Sequence, residues 1–232
     1  MARATIFGLA STVLVTVSLC AQGPANPMKK PPPPFAPLSA PQFHFSYATD
    51  PAGKIRQVLV DRDDKQVQSL EICTSQAVPR ENGLGELTQE DFNFDGYPDL
   101  MMRVAFDPRT NNSSYCIWLY DPATQKFVLS EELSHLTNPV PDPDSKTVFA
   151  RKNIICSERC YVEDVYAWTN GHLEPIWEQS LTEDPVAPPG SDCRWVWAAK
   201  KEKNGKLMDV DRQRVDIGGV MCEPHTAWLL SR

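Results

Sequence analysis

Oxygen-bearing side chains alternate with other residues in one short acidic segment of the sequence. In the run 91–99 they occupy positions 1, 3, 5 and 9, and Gly96 occupies position 6. This is the spacing of the first part of a calcium loop, in which alternate residues point toward a hard cation and glycine allows a sharp reversal. We therefore expect Ca²⁺ as a cofactor. The expected ligands are Asp91, Asn93, Asp95, the backbone carbonyl of Tyr97, and Asp99.

The segment that follows this loop departs from the EF-hand pattern. An EF-hand loop ends in a bidentate glutamate at position 12 and continues into a helix. This sequence has Met102 at that position, within the apolar, strand-like run 100–106. The sequence therefore predicts a calcium loop inserted between strands. An acidic turn that binds no cation is the alternative.

Sequence motifs of enzyme catalysis are absent. The chain has no Gly-x-Ser-x-Gly elbow, no His-Glu-x-x-His motif and no glycine-rich phosphate loop, and its four histidines are scattered singly. A net charge of −7 and a pI near 5.1 disfavour binding to a nucleic-acid backbone. We therefore expect a protein that is not an enzyme and has no nucleic-acid partner. Its charge suits a basic partner or a divalent cation.

The N-terminal segment, residues 1–21, has the features of a secretory signal peptide. It combines an early Arg3, an uncharged apolar stretch and the small residue Ala21 at its end. Cys20 makes a lipoprotein the alternative, although the bulky Leu19 before it disfavours lipid attachment. Removal of this segment leaves no apolar run of transmembrane length. We expect a periplasmic or secreted protein.

A proline-rich stretch separates the signal from the rest of the chain. Eight prolines fall within residues 22–42, which favours a semi-rigid polyproline II linker. Removal of the signal takes away one basic residue and no acidic one, so the net charge becomes −8. The predicted organisation is therefore a signal (1–21), a linker (22–42) and a single β domain (43–232).

Six cysteines remain after the signal, and an even number indicates up to three disulfides in an oxidising compartment. Cys156 and Cys160 are spaced to bridge a hairpin turn, whereas a zinc site would need a histidine pair or a second thiolate pair nearby. Six cysteines allow many connectivities, so the other pairs stay open. If neighbouring strands pair, the remaining bonds are Cys73–Cys116 and Cys193–Cys222.

The domain sequence is a series of short strand-like runs separated by turn residues. Turn signals recur at short intervals, and no helical period persists beyond a single turn near 131–136. Asn204-Gly205 is a favoured hairpin dipeptide. The predicted strands are 54–60, 66–72 (after a turn at 61–65), 100–106, 115–120, 126–129, 154–156, 161–168, 172–177, 194–198 and 207–210. This pattern predicts an all-β fold, either an antiparallel β-sandwich or a propeller-like domain.

Several segments in the middle of the chain occur in an order typical of one bacterial family. They are the loop 91–100, the run 115–121, Phe127, Leu133-Ser134, Asn138-Pro139 and the strand pair 166–173. This series resembles the calcium-loop periplasmic proteins related to lysozyme inhibitors, including immunity proteins against peptidoglycan hydrolases delivered by type IV secretion. The resemblance covers about residues 50–178 and leaves 185–232 as an unassigned C-terminal extension.

The resemblance implies an inhibitor that places a loop in the sugar-binding cleft of a lysozyme-type peptidoglycan hydrolase. Segment 107–114, between two predicted strands, is the candidate loop, because small amide and hydroxyl groups can imitate the hydrogen bonds of a sugar. Tyr115 would add an aromatic anchor. The predicted partner-binding residues are Asn111, Asn112, Ser113 and Tyr115.

Two other classes of function stay open. One is a structural or adhesive calcium-binding module of the cell envelope. The other is an enzyme that acts on envelope polysaccharide, which the missing catalytic motifs disfavour. The acidic charge favours the inhibitor, because lysozymes are commonly basic and would be attracted to it.

Overall fold

The structure is a computed structural model that describes residues 41–156, 160–187 and 194–215, all within one compact unit spanning 36–232. The expected signal peptide with Cys20, nearly all of the linker, Cys193 and Cys222 lie outside the described residues. No helix in the described part of the chain is long and apolar enough to cross a membrane.

Thirteen strands and one short helix occur in the described residues, in three antiparallel sheets. The first sheet contains β1 (His44–Thr49), β2 (Ile55–Arg62) and β3 (Lys65–Glu71). The second contains β4 (Leu87–Glu90), β5 (Asp99–Asp107), β6 (Asn112–Asp121) and β7 (Lys126–Leu129), and α1 (Glu131–Ser134) follows it. The third contains β8 (Val140–Asp142), β9 (Thr147–Asn153), β10 (Tyr161–Thr169), β11 (His172–Glu183), β12 (Trp195–Lys203) and β13 (Lys206–Val215).

Each sheet is a meander, because strands that follow one another in sequence are hydrogen-bonded neighbours. The prediction of an all-β, antiparallel fold is confirmed. Three consecutive meanders follow the connectivity of propeller blades, whereas a β-sandwich has two sheets, usually joined by Greek-key crossings.

The central strand β6 is buried on both faces. Side chains alternate between the two faces of a strand. Cys116 and Trp118 lie in a core shared with the first sheet, whereas Ile117 lies in a core shared with α1 and the third sheet. Burial on both faces explains why residues 115–120 of β6 form a continuous apolar run.

One turn motif, which begins with Asp-Pro, recurs in four hairpins. In each, the aspartate Oδ1 accepts a hydrogen bond from the N–H two residues later, an arrangement that reverses the chain. These bonds are Ala52 to Asp50 (2.9 Å), Arg109 to Asp107 (3.0 Å), Ala123 to Asp121 (2.9 Å) and Asp144 to Asp142 (3.1 Å). A residue with positive φ then leads into the next strand. These residues are Gly53, Asn111, Gln125 and Lys146.

The predicted strands omit β1, β4 and β8, and two further local predictions differ from the structure. The predicted strand 154–156 is wrong: the strand is Thr147–Asn153, and 154–156 lies in the connection between β9 and β10. The turn predicted at 61–65 is shorter in the structure and consists of Asp63 and Asp64, which both have positive φ. In both places apolar periodicity located the hairpin but not its ends, because backbone pairing, rather than polarity, decides where a strand stops.

Two disulfides are present in the described residues, and both pairs were among those predicted. Cys73–Cys116 joins the segment after β3 to β6, with 5.5 Å between the Cα atoms. Cys156–Cys160 closes the connection between β9 and β10, with a Cα separation of 5.7 Å. Disulfides are compatible with a location outside the cytoplasm.

Cys73→Ser is expected to lower the free energy of unfolding by about 4 kcal/mol, because the lost bond constrains a long loop in the unfolded chain. The two cysteines lie 43 residues apart. Cys73 is exposed, so this variant leaves the buried Cys116 sulfur in place. Urea denaturation measures the loss.

Cys156→Ser is the matched control for this experiment. Its partner is only four residues away, so the same reasoning gives a loss of about 2 kcal/mol. Equal losses for the two variants would contradict the assigned role of Cys73–Cys116 as the long-range crosslink.

Candidate functional site

The predicted calcium loop connects β4, at the edge of the second sheet, to β5. Two of its residues have left-handed backbone conformations: Phe94 with φ of 59° and Gly96 with φ of 90°. Glycine adopts this conformation without the steric penalty of a side chain. The loop therefore turns sharply where the sequence places its glycine.

Three oxygen-bearing side chains of the loop accept hydrogen bonds from the backbone of the loop itself. The N–H of Asp95 lies 3.2 Å from both Asp91 Oδ1 and Asn93 Oδ1. The N–H of Gly96 donates to Asp91 Oδ2 at 2.9 Å, and that of Tyr97 donates to Asp95 Oδ1 at 2.9 Å. Because one N–H serves two oxygens, the Asp91 and Asn93 side chains lie close together. The alternating spacing thus brings three of the predicted ligands into one cluster.

The chemistry of this cluster fits a hard divalent cation, since all its donors are oxygens. Burial raises the pKa of Asp91, hydrogen bonding from Gly96 lowers it, and the Asp95 carboxylate raises it again. A bound cation would relieve this repulsion between the carboxylates. Across the described ranges no group of three or more His, Cys, Asp or Glu side chains is placed to hold a metal. The predicted ligand set also includes the Asn93 side chain and the Tyr97 carbonyl. Calcium binding stays a prediction.

Asp99, the last predicted ligand, is fully buried at the start of β5. Its Oδ2 accepts the N–H of Phe92 at 2.8 Å, and its Oδ1 accepts the N–H of Tyr120 at 2.8 Å. Burial raises the pKa of this carboxyl to about 7, although the hydrogen bonds from Tyr120 and Phe92 oppose the rise. Asp99 therefore ties the beginning of the loop to β6, a role that the sequence spacing did not indicate.

Aromatic residues attach the loop to the cores on both sides of the second sheet. Phe92 is fully buried, and its carbonyl accepts a hydrogen bond of 2.8 Å from the indole N–H of Trp168 on β10. The ring of Tyr97 packs against that of Tyr120, with 5.6 Å between the centroids. The roles of Trp168 and Tyr120 could not be predicted from local spacing, because both residues are distant from the loop in sequence.

The predicted partner loop is a short connection between β5 and β6. The unpaired residues are 108–111 only, since Asn112 pairs with Asp107 and Ser113 with Phe106. Pro108, Arg109 and Asn111 are exposed at the tip. The loop therefore presents a narrow polar tip to solvent.

The base of this loop is clamped to β9 by asparagine side chains. Asn112 Nδ2 donates to the carbonyl of Asn153 at 2.8 Å, and the N–H of Asn153 donates back to Asn112 Oδ1 at 2.9 Å. Asn153 Nδ2 donates to the carbonyl of Thr110, and Asn138 Oδ1 accepts the N–H of Ser113, both at 2.8 Å. The loop and β9 thus form one hydrogen-bonded unit.

The four predicted partner-binding residues lie in different environments. Asn111 is exposed at the tip, whereas Asn112 takes part in the clamp and Ser113 is only 5% exposed. Tyr115 packs against the core between the second and third sheets. Contact of these residues with a partner stays a prediction.

The fold and the site define an all-β protein of three antiparallel meanders with an oxygen-rich loop and a clamped hairpin. No family model matches the chain, and no curated protein matches it. A solved structure described as a Xanthomonas type IV secretion system related protein is similar to it, with 17% identity and a TM-score of 0.48. The similarity covers 72% of this chain and 85% of that chain. Function is therefore inferred from the geometry and from the resemblance in sequence.

Asp99→Asn is expected to lower the free energy of unfolding by about 1–3 kcal/mol at pH 5, because the amide nitrogen cannot accept a buried N–H. The pKa of Asp99 is about 7 in the folded protein against an ordinary 3.8. Between these two pH values the folded state therefore binds a proton that the unfolded state does not bind. The unfolding free energy of the wild type therefore falls as pH rises through this window, and that of the variant lacks this contribution.

Urea denaturation in chelator at pH 5 and pH 8 tests this expectation. The stability deficit of the variant should be smaller at pH 8 than at pH 5. A deficit that is constant, or that increases with pH, would contradict the assignment of a raised pKa to Asp99.

Proposed function

We propose that this protein is an exported, calcium-binding inhibitor of a lysozyme-type peptidoglycan hydrolase, with an immunity role. It acts by binding rather than by catalysis. The tip of the partner loop, residues 108–111, enters the sugar-binding cleft of the enzyme. The observation that carries the proposal is the clamped base of this loop, which holds a polar tip in one conformation.

A rigid loop suits inhibition because the chain loses less conformational freedom when it binds. Asp107 organises the tip from within: its Oδ1 accepts the N–H of Arg109 at 3.0 Å, and the guanidinium of Arg109 lies 3.2 Å from the same oxygen. The Asn112–Asn153 pair fixes the base. The amide of Asn111 then offers a donor and an acceptor to groups that line a sugar subsite.

The proposed calcium site supports the same loop through one strand. Asp91, Asn93, Asp95 and the carbonyl of Tyr97 would hold the cation, which supplies stabilisation of the folded loop. The loop leads into β5, whose other end is Asp107 at the base of the partner loop. Order at one end of β5 therefore favours order at the other.

The net charge of the chain agrees with a basic target. Opposite net charges accelerate the diffusional encounter of two proteins. The formal charge of the full sequence is −7. Association with a basic lysozyme should therefore slow as salt concentration rises.

Calcium is expected to raise the melting temperature of the mature protein, because a ligand that binds only the folded state stabilises it. The gain is about 2.7 kcal/mol at a hundredfold excess over the dissociation constant. Asp95→Ala should remove this gain, as measured by calorimetry in calcium and in chelator.

Asp144→Ala is the matched control, since it removes a carboxylate from an exposed turn outside the loop. Its calcium response should equal that of the wild type. Melting curves of the wild type that coincide in calcium and in chelator would refute the calcium site.

Arg109→Ala/Asn111→Gly is expected to raise the inhibition constant at least tenfold, because both side chains lie at the exposed tip. Glycine keeps the positive φ of Asn111, so the hairpin should be preserved. A turbidity assay with peptidoglycan and a panel of lysozymes and peptidoglycan hydrolases measures inhibition.

The control for the tip variant is Asp144→Ala/Lys146→Gly in the Asp-Pro turn between β8 and β9, where Lys146 has the same backbone conformation as Asn111. It should inhibit like the wild type. Equal inhibition by the tip variant would refute the loop assignment. A wild type that binds calcium but inhibits no enzyme of the panel would favour the structural envelope module.

A further inference from the structure

An open groove of about 550 Å³ lies beside the partner loop, between the β5–β6 hairpin and the end of β9. Three large apolar side chains line it: Phe106, Ile154 and Ile155 are 37%, 40% and 68% exposed. Single exposed apolar residues are ordinary on a protein surface, whereas these three share one groove, which makes the groove a candidate interaction site.

The two isoleucines are held in place by a covalently closed connection. The N–H of Ile154 donates to the carbonyl of Cys160 at 2.8 Å, and the N–H of Cys156 donates to the carbonyl of Ile154 at 2.9 Å. The Cys156–Cys160 disulfide closes the same segment. The hydrogen bonds and the disulfide therefore restrain the backbone at Ile154 and Cys156, on either side of Ile155, which lowers the entropy lost on binding.

A basic side chain, Lys152, lines the same groove. It takes part in none of the ion pairs found within residues 41–156, 160–187 and 194–215. The groove thus combines apolar walls with an available cation. This chemistry suits an apolar side chain that has a carboxylate beside it.

The groove and the partner loop are parts of one continuous surface. Asp107, Thr110 and Asn112 line the groove and also belong to the loop or its base. A stable protein interface buries about 800 Å² on each partner, more than a tip of four residues supplies. A protein that covers the tip must therefore also cover neighbouring surface, and the groove adjoins the tip.

We infer that this groove is the apolar anchor of the inhibitory interface and that it takes an apolar side chain from the rim of the hydrolase cleft. Lys152 pairs with a carboxylate beside that side chain. The inference rests on the proposed inhibition and extends it, since it adds an apolar anchor in the groove to the polar contacts of the tip.

Ile155→Ser and Lys152→Gln test the groove in the same turbidity assay, with an enzyme that the wild type inhibits. Ile155→Ser should raise the inhibition constant at least tenfold. Lys152→Gln should raise it at least threefold at low salt, with a smaller effect in 0.5 M salt because salt screens an ion pair. The matched controls are Val128→Ser and Lys126→Gln on β7; Val128 is 56% exposed. Both controls should inhibit like the wild type.

Each outcome of this experiment bears on the inference. Groove variants that inhibit as well as the controls would overturn the groove while leaving the proposed inhibition in place. A wild type that inhibits no hydrolase would remove the proposed function, and the inference with it. Light scattering adds a third outcome: a wild-type dimer that Ile155→Ser converts to a monomer would assign the groove to contact between copies of this chain and overturn the inference.

Discussion

The buried carboxylate of Asp99 is the interaction on which the order of the candidate site depends. It lies at the junction of the oxygen-rich loop and β5, and its two oxygens accept N–H groups from Phe92 and Tyr120. A buried N–H without a partner costs about 1–3 kcal/mol, so the loop cannot detach from β6 without losing a buried hydrogen bond. The pKa of Asp99, raised to about 7 by burial, shows that ionisation of this group opposes folding. The two hydrogen bonds hold the Asp99 side chain in its buried position.

Contacts of β5 and β6 connect the ordered loop to the rest of the second sheet. β6 contributes side chains to both large cores, and the Cys73–Cys116 disulfide attaches it to the segment after β3. β5 begins at Asp99 and ends at Asp107. One strand therefore carries the proposed cation site at one end and the proposed inhibitory tip at the other.

Much of the fold could be predicted from the sequence because its signals are local. The bounds of β7 agree with the structure, and Asn204-Gly205 lies in the hairpin between β12 and β13. The alternating oxygens located the loop, and the close spacing of two cysteines indicated the Cys156–Cys160 bond. Each of these features depends on residues that are close together in sequence. Over such short distances residue type and spacing largely determine geometry.

The features that were missed depend on contacts between distant segments. The clamp of the partner loop joins Asn112 to Asn153, which are 41 residues apart. An asparagine has the same local preferences whether it meets solvent, a sugar or another strand, so the sequence did not indicate that Asn112 supports the base of the loop. The buried role of Asp99 was missed because the carboxylate of a calcium ligand and that of a backbone acceptor have the same spacing in sequence.

Native-state hydrogen exchange tests most directly whether the loop and β6 form one cooperative unit through Asp99. The amides of Phe92 and Tyr120 are followed by NMR at low concentrations of denaturant. If both donate to the buried carboxylate, they should exchange with the same free energy of opening, equal to that of global unfolding. Exchange of the Phe92 amide at the rate of exposed loop amides, with the Tyr120 amide still protected, would show that the loop opens independently and would contradict the account.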